Sequence, residues 1–384
     1  MAIELLVTSP ICENKYGGPV QVIYDHLSHF YIREDININL LGVVDDLEEN
    51  VSQLSKFPHK FVRRQRPLSW SYSKDFNDVI VDLVRQSDVV HTHMLWDYTT
   101  LSTYYAANRT KTPMILSPHG SVSGLHRMSS LKKRIYKFFL LSSMLKRVPV
   151  IHALTENEAL HIRKFGFSGS IEVIPNGVSR QFLNSELSVN SNVRDSLGLK
   201  NERVALYLGR LWKGKGLIEL IDVWSRLVSE DEVADWVLVF AGPDYRGFRS
   251  ILQNKIDANH LSDRIKIVGP CYGNKKLEVL DLCELFILPS HEEAFSMSIL
   301  EAAARQKPVV YTTQCNFSEL SSFGAGWEVF DNSKALYEVL LYVLKCSESH
   351  LELCGKKGKA LISERYTQEI VGDALHALYT RLVK

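Results

Sequence analysis

Short apolar runs alternate with longer amphipathic segments along the first half of the chain. The runs predict strands at Ile3–Thr8, Ile38–Val43, Asp88–His91, Met114–Ser117 and Val150–Ala153. The segments between them predict helices at Pro19–Phe30, Asp75–Gln86, Thr99–Ala107 and Ser130–Lys146. Alternating strands and helices indicate a parallel sheet that is covered by helices on both faces.

The second half repeats this pattern, so we predict an α/β protein with two Rossmann-like domains and a cleft between them. Its predicted strands are Val204–Leu208, Trp236–Ala241, Ile265–Val268, Leu285–Leu288 and Pro308–Tyr311, and Gly216–Leu227 is a predicted helix. The 384 residues exceed one typical domain. The polar segment 176–192 marks the seam, which gives predicted domains at 1–180 and 181–365 and a helical tail at 366–384.

The composition is that of an ordinary globular protein, with 45% hydrophobic and 23% charged residues. A net charge of +1 gives no support for nucleic-acid binding. Six scattered cysteines without a C-x-x-C pair argue against a disulfide framework or a zinc site and fit a reducing cytoplasm. The start, MAIELLVTSP, predicts a buried strand rather than a signal peptide, and no apolar stretch reaches the roughly 18 residues of a membrane span.

Two glutamates, Glu293 and Glu301, follow the predicted strand Leu285–Leu288 and have seven residues between them. This context predicts Glu293 on the loop at the carboxyl end of the strand and Glu301 in the first turns of the next helix. Open α/β sheets bind ligands at this edge, and a helix start offers unpaired backbone N–H groups to an anion. The sequence therefore predicts two carboxylates and an anion-binding helix end in one small volume.

Two cations, Arg210 and Lys215, lie on a glycine-bearing loop between the strand Val204–Leu208 and the helix that follows it. Arginine offers a planar fork of donors and lysine a mobile point charge, so together they suit a diphosphate. Lys213 on the same loop competes for the second role. A solvated basic loop would explain these residues equally well if they stood alone, and the nearby pair of glutamates favours the diphosphate.

His119 comes directly after the predicted strand Met114–Ser117 and precedes a glycine. A histidine at this edge can face a ligand, where a neutral imidazole would hydrogen-bond a sugar and an imidazolium would stabilise departing charge. Gly17 and Gly18 open the first long helix, and glycines allow the backbone to approach an anion closely. A strand cap and an ordinary turn are the alternatives to these functional interpretations.

The motifs around the two glutamates resemble the E-x7-E signature of retaining glycosyltransferases with the GT-B fold, in family 4 (glycosyltransferase group 1, bacterial surface-polysaccharide type). The resemblance rests on Pro-Ser before the first glutamate, Glu-x-Phe within the motif, Glu-Ala after it and Lys-Pro-Val-Val at the next strand. Ala294 and Ser296 depart from the family pattern, which usually has glycine at both positions.

The resemblance implies a role for each candidate residue. It places Arg210 and Lys215 on the diphosphate of a nucleotide sugar and His119 near the reacting carbon. It assigns both ribose hydroxyls to Glu301 and a hydroxyl of the transferred sugar to Glu293. The other donor-binding positions that it implies are Gly17, Gly18, Val268, Cys271, Tyr272, Ala294, Phe295 and Ser296. The tail at 366–384 is expected to cross back onto the first domain.

The resemblance implies a retaining hexosyltransferase that extends O-antigen, capsule or exopolysaccharide. The expected donor is a nucleoside-diphosphate sugar, with UDP favoured over GDP, and the expected acceptor is a glycan or a lipid-linked sugar. No D-x-D motif occurs in the chain, so we expect side-chain cations and a helix terminus to replace a metal ion, and we expect no cofactor. Two alternatives stay open: a GT-B-fold nucleotide-sugar epimerase, and a non-catalytic module that binds a membrane or a partner.

A basic region lies in the first half of the chain, where the 58 residues between Asp97 and Glu156 contain no acidic side chain and nine lysines and arginines. Segment 127–147 mixes these cations with apolar residues at helical spacing. One interpretation is a helix that docks the protein on an anionic membrane, at the inner face of the cytoplasmic membrane. The other is a buried amphipathic helix with solvated lysines, and the sequence supports both equally.

Overall fold

The computed structural model describes residues 2–13, 17–47, 52–122, 141–184 and 191–384. The chain divides into two compact units, of which the first is Met1–Gly177 with Gln368–Lys384 and the second is Val178–Thr367. The boundaries expected from the sequence, after residues 180 and 365, lie a few residues away from these. Among the described residues, no helix is both long and apolar enough to cross a membrane.

The first unit is built on a parallel sheet of seven strands. They are β1 (Ile3–Ser9), β2 (Ile36–Val44), β3 (His59–Arg63), β4 (Val89–His93), β5 (Met114–Ser117), β6 (Val150–Ala153) and β7 (Ser170–Val173). Their spatial order is β3-β2-β1-β4-β5-β6-β7, and every pair is parallel. The chain therefore leaves β1 in one direction and returns at β4 to continue in the other, which makes a topological switch point between these two strands.

Helices cover both faces of this sheet. They are α1 (Gly18–Tyr31), α2 (Lys74–Arg85), α3 (Tyr98–Thr110), α4 (Ser142–Leu145), α5 (Glu156–Phe165) and, from after the second unit, α15 (Gln368–Val383). Leu5 and Leu6 belong to two different buried clusters, because successive side chains of a strand point to opposite faces. The cluster that contains Leu5 also contains Leu375 and Leu378 of α15, so this helix completes the core of the first unit.

The second unit has a parallel sheet of six strands. They are β8 (Arg203–Leu208), β9 (Trp236–Ala241), β10 (Ile265–Ile267), β11 (Leu285–Leu288), β12 (Val309–Thr312) and β13 (Gly326–Val329). The spatial order is β10-β9-β8-β11-β12-β13, again with every pair parallel. The switch point of this sheet therefore lies between β8 and β11, the strands that lead into the two predicted ligand loops.

The helices of the second unit follow the same alternation. They are α6 (Arg180–Asn184), α7 (Ser191–Ser196), α8 (Leu217–Ser229), α9 (Phe248–Ala258), α10 (Asn274–Leu282), α11 (Met297–Ala304), α12 (Ser318–Ser322), α13 (Ser333–Val343) and α14 (Glu348–Arg365). Trp224 of α8 and Trp236 of β9 are fully buried between helices and sheet. Both units are thus α/β layers around a parallel sheet, as the alternating pattern predicts.

Two details of the sequence prediction were wrong. The predicted strands missed β3, β7 and β13, because each is an edge strand with mostly exposed or half-buried residues and therefore lacks a continuous apolar run. The predicted tail helix begins at Gln368 rather than at Tyr366. The predicted basic helix Ser130–Lys146 falls largely in residues 123–140, which lie outside the described part of the chain; α4 is its described portion.

Candidate functional site

The loops after β8 and β11 pack directly against each other at the switch point of the second sheet. The backbone N–H of His291 donates to the carbonyl of Gly214 at 3.0 Å. Gly216 has φ +66°, and a Cβ atom there would lie 2.0 Å from the carbonyl oxygen of Pro289. Only glycine therefore fits at this contact, which fixes the cationic loop beside the loop that carries the first glutamate.

Lys215 and Glu293, each from one of these loops, form a half-buried ion pair. The Lys215 ammonium donates to Glu293 Oε1, and the two side chains are 17% and 14% exposed. The backbone of Glu293 is held on both sides, because its N–H donates to Gln314 O at 3.1 Å and its carbonyl accepts from Asn316 Nδ2 at 2.7 Å. The structure thus brings together one predicted cation and one predicted carboxylate that are far apart in sequence.

Arg210 lies at the start of the same cationic loop. Its carbonyl accepts a hydrogen bond from the buried Tyr207 hydroxyl at 2.8 Å, and its guanidinium lies 5.3 Å from the centre of the Tyr245 ring. An aromatic ring at this distance attracts a guanidinium through a cation–π contact. Lys213, the competing cation, is exposed at the tip of the loop.

Glu301 is buried on α11 and pairs with a cation that the sequence analysis did not single out. Its side chain is 1% exposed, and Lys276 donates to its Oε1. Its Oε2 has no hydrogen-bond partner among the described residues. Burial raises the pKa of Glu301, and the Lys276 ammonium acts in the opposite direction. The four predicted charges therefore form one direct pair, while Glu301 uses a different lysine.

The sequence did contain a signal for Lys276. This residue lies in the first turn of α10, directly after Lys275, and Gly273 at the N-cap makes no side-chain cap. Two lysines at a helix start oppose the helix dipole. Such a position calls for a carboxylate partner, which Glu301 supplies.

The loop before α11 is shaped by aromatic packing. The Phe295 ring lies 4.9 Å from the Phe317 ring and 5.8 Å from the Tyr366 ring. Ser296 is the N-cap of α11 with φ −82° and makes no side-chain cap to this helix. Ala294 is absent from the described residues with positive φ, so neither departure from the family glycines strains the backbone.

The segment Val268–Tyr272 follows β10 at the same edge of the second sheet. The Val268 N–H donates to Phe240 O at 2.8 Å, which extends the pairing of β10 with β9. Cys271 is 5% exposed, and burial raises the pKa of its thiol, whereas Tyr272 is 54% exposed. These positions have no structural feature that decides the predicted base-binding role, which stays a prediction.

In the first unit, His119 lies at the end of β5 in a left-handed turn. Its φ is +51°, and Gly120 follows with φ +76°. The buried Glu158 carboxylate accepts hydrogen bonds from the N–H groups of Gly120, at 2.6 Å, and of Leu154, at 2.8 Å. His93 Nδ1 lies 2.7 Å from His119 Nε2. Glu158 was not among the predicted site residues, because its partner Gly120 is 38 residues away in sequence and only the fold brings the two together.

His119 is half-buried and lies among four buried histidines, and we call the five together the histidine cluster: His26, His91, His93, His119 and His152. Burial lowers the pKa of His119 to about 3 and that of His152 to about 4, and it lowers the pKa of the other three well below the ordinary value. All five are therefore neutral near pH 7. Of the two roles left open for His119, the neutral imidazole fits this environment.

A chain of hydrogen bonds runs through this cluster, and its direction follows from its last acceptor. His152 Nε2 lies 2.7 Å from the carbonyl of Ile174, which can only accept, so Nε2 carries the proton. Ser117 Oγ then donates to His152 Nδ1 at 2.8 Å and accepts from His91 Nε2 at 2.6 Å. His91 Nδ1 consequently accepts from the Tyr379 hydroxyl at 2.7 Å. This chain ties α15 to the strand ends and explains His91 as a packed strand residue.

Gly17 and Gly18 lie at the start of α1, as predicted. Gly17 is the N-cap with φ 69° and ψ −126°, a conformation that only glycine adopts readily. A Cβ on Gly18 would meet no atom within 4 Å among the described residues. Within the described ranges, no group of three histidine, cysteine or acidic side chains is arranged to hold a metal ion.

Comparison with known proteins identifies the family. Residues 17–182 match the model described as Glycosyltransferase Family 4, and residues 189–360 match Glycosyl transferases group 1. The mannosyltransferase of Xanthomonas campestris named GDP-mannose:cellobiosyl-diphosphopolyprenol alpha-mannosyltransferase is 25% identical over 226 residues, which are 58% of this chain and 55% of that protein. The Escherichia coli UDP-Gal:alpha-D-GlcNAc-diphosphoundecaprenol alpha-1,3-galactosyltransferase is also 25% identical, over 58% of this chain and 57% of its own.

The matched region thus spans little more than half the length of these two curated relatives. The crystal structure of Anabaena HepE in complex with UDP and glucose superposes on 99% of this chain and 100% of its own, with a TM-score of 0.81 at 18% identity. The fold is therefore that of the two-domain GT-B proteins, as the sequence predicts. Since the two family models together match most of the chain, it belongs to the family 4, group 1 glycosyltransferases.

Proposed function

We propose that this protein is a retaining hexosyltransferase that moves a sugar from a nucleoside-diphosphate donor to a glycan or lipid-linked acceptor in bacterial surface-polysaccharide biosynthesis. The observation that carries the proposal is the contact between Lys215 and Glu293, with Glu301 buried on the helix that follows the same loop. These residues lie at the switch point of the second sheet, where α/β folds bind ligands.

The donor would bind along this edge of the second unit. Arg210 and Lys215 supply two positive charges for the diphosphate, and the uncapped start of α11 supplies backbone N–H groups. A buried carboxylate oxygen without a partner costs on the order of 1–3 kcal/mol, which a ribose hydroxyl that donates to Glu301 Oε2 would recover. We assign the sugar hydroxyl to Glu293, and the backbone of Ala294, Phe295 and Ser296 to the sugar and the distal phosphate.

We propose UDP rather than GDP as the nucleotide and a lipid diphosphate as the carrier of the acceptor. HepE, whose fold matches over the full chain, was crystallised with UDP and glucose. The Escherichia coli and Xanthomonas relatives are named for UDP and GDP donors respectively, and both are named for acceptors on a polyprenyl diphosphate. The names therefore support the acceptor class more uniformly than they support the nucleotide.

We propose that the reaction needs no metal ion. The cationic loop and the start of α11 would neutralise the departing diphosphate. His119 would hydrogen-bond the sugar as a neutral imidazole, since burial holds its pKa at about 3. Turnover of the identified donor in the presence of excess chelator tests this step, and loss of turnover that Mg²⁺ restores would contradict it.

The decisive experiment is thermal unfolding in the presence of a panel of UDP- and GDP-sugars. A ligand that binds only the native state raises the melting temperature, so the true donor should stabilise the protein. Glu301→Ala should reduce this stabilisation, because the ribose contact is lost while the diphosphate contacts remain, whereas Glu292→Ala, an exposed neighbour, should preserve it. If no sugar nucleotide stabilises the wild type, the proposal fails.

The same donor distinguishes the two alternatives. A nucleotide-sugar epimerase would convert the donor without any acceptor, and a non-catalytic module would leave it unchanged. Release of nucleoside diphosphate that depends on an added acceptor supports the transferase. The configuration of the product at the anomeric carbon, read by NMR, tests the retaining mechanism.

We also propose that the protein acts at the inner face of the cytoplasmic membrane. In the described part of the basic region, Lys146 and Arg147 are exposed, as are Lys60 and Arg63 on β3. Exposed cations of this kind are attracted to anionic lipid headgroups. Cosedimentation with vesicles should require anionic lipid, and equal binding to neutral vesicles, or none to either, would contradict this proposal.

A further inference from the structure

Lys276 occupies a position that is unfavourable unless its partner is Glu301. It lies in the first turn of α10, where the helix dipole repels a cation. Its side chain is 23% exposed, and the ring of Phe182 lies 5.5 Å from its ammonium. From this position, the Lys276 ammonium donates a hydrogen bond to Glu301 Oε1.

The elements packed around Glu301 offer few other positively charged side chains. The strands β11 and β12 that pack against α11 carry one ionisable side chain, Tyr311, whose hydroxyl donates to Phe317 O at 2.8 Å. Arg305, the C-cap residue of α11, donates two hydrogen bonds of 2.7 and 2.6 Å to Asp281 of α10.

Two further helices pack against α11. Helix α6 carries Arg180, and helix α14 approaches Ala303 of α11 through Gly358. Lys276 is the group that opposes the rise in the pKa of Glu301, which burial causes. Without Lys276, the carboxylate would be buried with no cation in contact.

We propose that Lys276 is a positioning residue for nucleotide binding: its ammonium holds Glu301 Oε1, so that Oε2 is presented as the acceptor for a ribose hydroxyl. The inference rests on the proposed function, because it assumes that the second unit binds a nucleoside diphosphate. Lys276 would act through Glu301, and it would set the strength of the ribose contact rather than that of the diphosphate contact.

The test compares UDP with 2′,3′-dideoxy-UDP by calorimetry, and GDP with its dideoxy analogue in parallel. Wild type should bind the ribonucleotide about tenfold more tightly than the dideoxy form, as expected for a hydrogen bond to a charged group. In Lys276→Met this preference should fall to about twofold or less, while the affinity for the dideoxy form changes little. Lys275→Met removes the same charge from the exposed preceding residue and should retain the wild-type preference.

The pH dependence supplies a second readout. Since burial raises the pKa of Glu301 and Lys276 opposes this rise, removal of Lys276 should move the loss of UDP binding at low pH to a higher pH. Lys276→Arg, which keeps the charge, should return both the ribose preference and the pH midpoint toward wild type. Lys276→Gln replaces the methionine variant if the latter does not fold.

The outcomes separate the inference from the proposed function. If Lys276→Met weakens both nucleotides equally, or keeps the wild-type ribose preference and pH midpoint, the positioning role is overturned and the proposed function stands. If the wild type binds neither UDP nor GDP, the proposed function itself fails and the inference fails with it. A reduced ribose preference with a shifted midpoint supports the positioning role.

Discussion

The two units bury polar side chains at the carboxyl ends of their central strands, but with different chemistry. In the first unit, these are histidines that are neutral near pH 7, and two of them, His91 and His152, are hydrogen-bonded in a fixed direction from Tyr379 to Ile174. In the second unit, they are lysines paired with glutamates. Burying a neutral ring requires only hydrogen-bond partners, whereas burying a charge requires an opposite charge.

Under the proposed function, this difference would suit the two units to different parts of the donor. Ion pairs can exchange one partner for a charged ligand, so the second unit suits a nucleoside diphosphate. The neutral histidine cluster offers directional hydrogen bonds without net charge, which suits the hydroxyl groups of a sugar.

Mild acid should destabilise the first unit before the second. The folded-state pKa values of the histidine cluster lie below the ordinary value of 6.5, so the unfolded chain binds more protons below that pH. Stability is therefore present above about pH 6.5 and falls as the pH drops toward about pH 4, by on the order of several kcal/mol in all. Hydrogen exchange read by mass spectrometry reports each unit separately. An equal loss of hydrogen-exchange protection in both units at mildly acidic pH would contradict the expected difference between them.

Lys215→Met should lower turnover of the identified donor by about two to three orders of magnitude, a typical loss when a group that stabilises developing charge is removed. The variant also leaves Glu293 half-buried without its cation. Lys213→Met, an exposed lysine on the same loop, is the matched control and should change turnover by about twofold or less. Similar losses in both variants would show that the loop acts only through its overall charge.

Glu158→Gln should cost about 1–3 kcal/mol of stability. The carboxylate now accepts hydrogen bonds from two backbone N–H groups, and in the variant the amide NH2 would face one of these N–H groups, to which it cannot hydrogen-bond. The turn at His119 and Gly120 should loosen, with a fall in turnover that persists below the melting temperature. Glu156→Gln, exposed on the first turn of the same helix, is the control. Wild-type turnover in Glu158→Gln would show that the Glu158 carboxylate is not needed to hold the turn at His119.

Tyr379→Phe should cost about 1 kcal/mol, the net value of one hydrogen bond, because His91 Nδ1 loses its donor. The change is read as a lower free energy of unfolding in urea. Tyr342→Phe, at a tyrosine that is 57% exposed, should be neutral. If the two variants match, the hydrogen bond between Tyr379 and His91 contributes no net stability.

The sequence predicts the interior of each sheet better than its edges. The bounds of β5, β6, β9 and β11 coincide with the predicted ones, since interior strands are continuous apolar runs. The edge strands β3, β7 and β13 were missed, because half of their surface is solvated and their apolar pattern is broken. Fold class depended on the interior strands, so these omissions did not affect it.

The candidate site shows a similar division. Glu293, Arg210 and Lys215 stand next to strand ends and glycines, which makes them visible in a linear pattern. Lys276 and Glu158 were not singled out, since their partners Glu301 and Gly120 lie in other elements and only tertiary structure brings them into contact. The histidine pKa values were also beyond the sequence, because they depend on burial.

The place of α15 has a consequence for biosynthesis. Its residues Leu375, Leu378 and Tyr379 complete the core around Leu5, although the ribosome makes them only after the whole second unit. Until then, the nascent first unit has an uncovered apolar face, to which chaperones that hold exposed hydrophobic surface would bind. The first unit therefore completes its core only after the second unit has been synthesised.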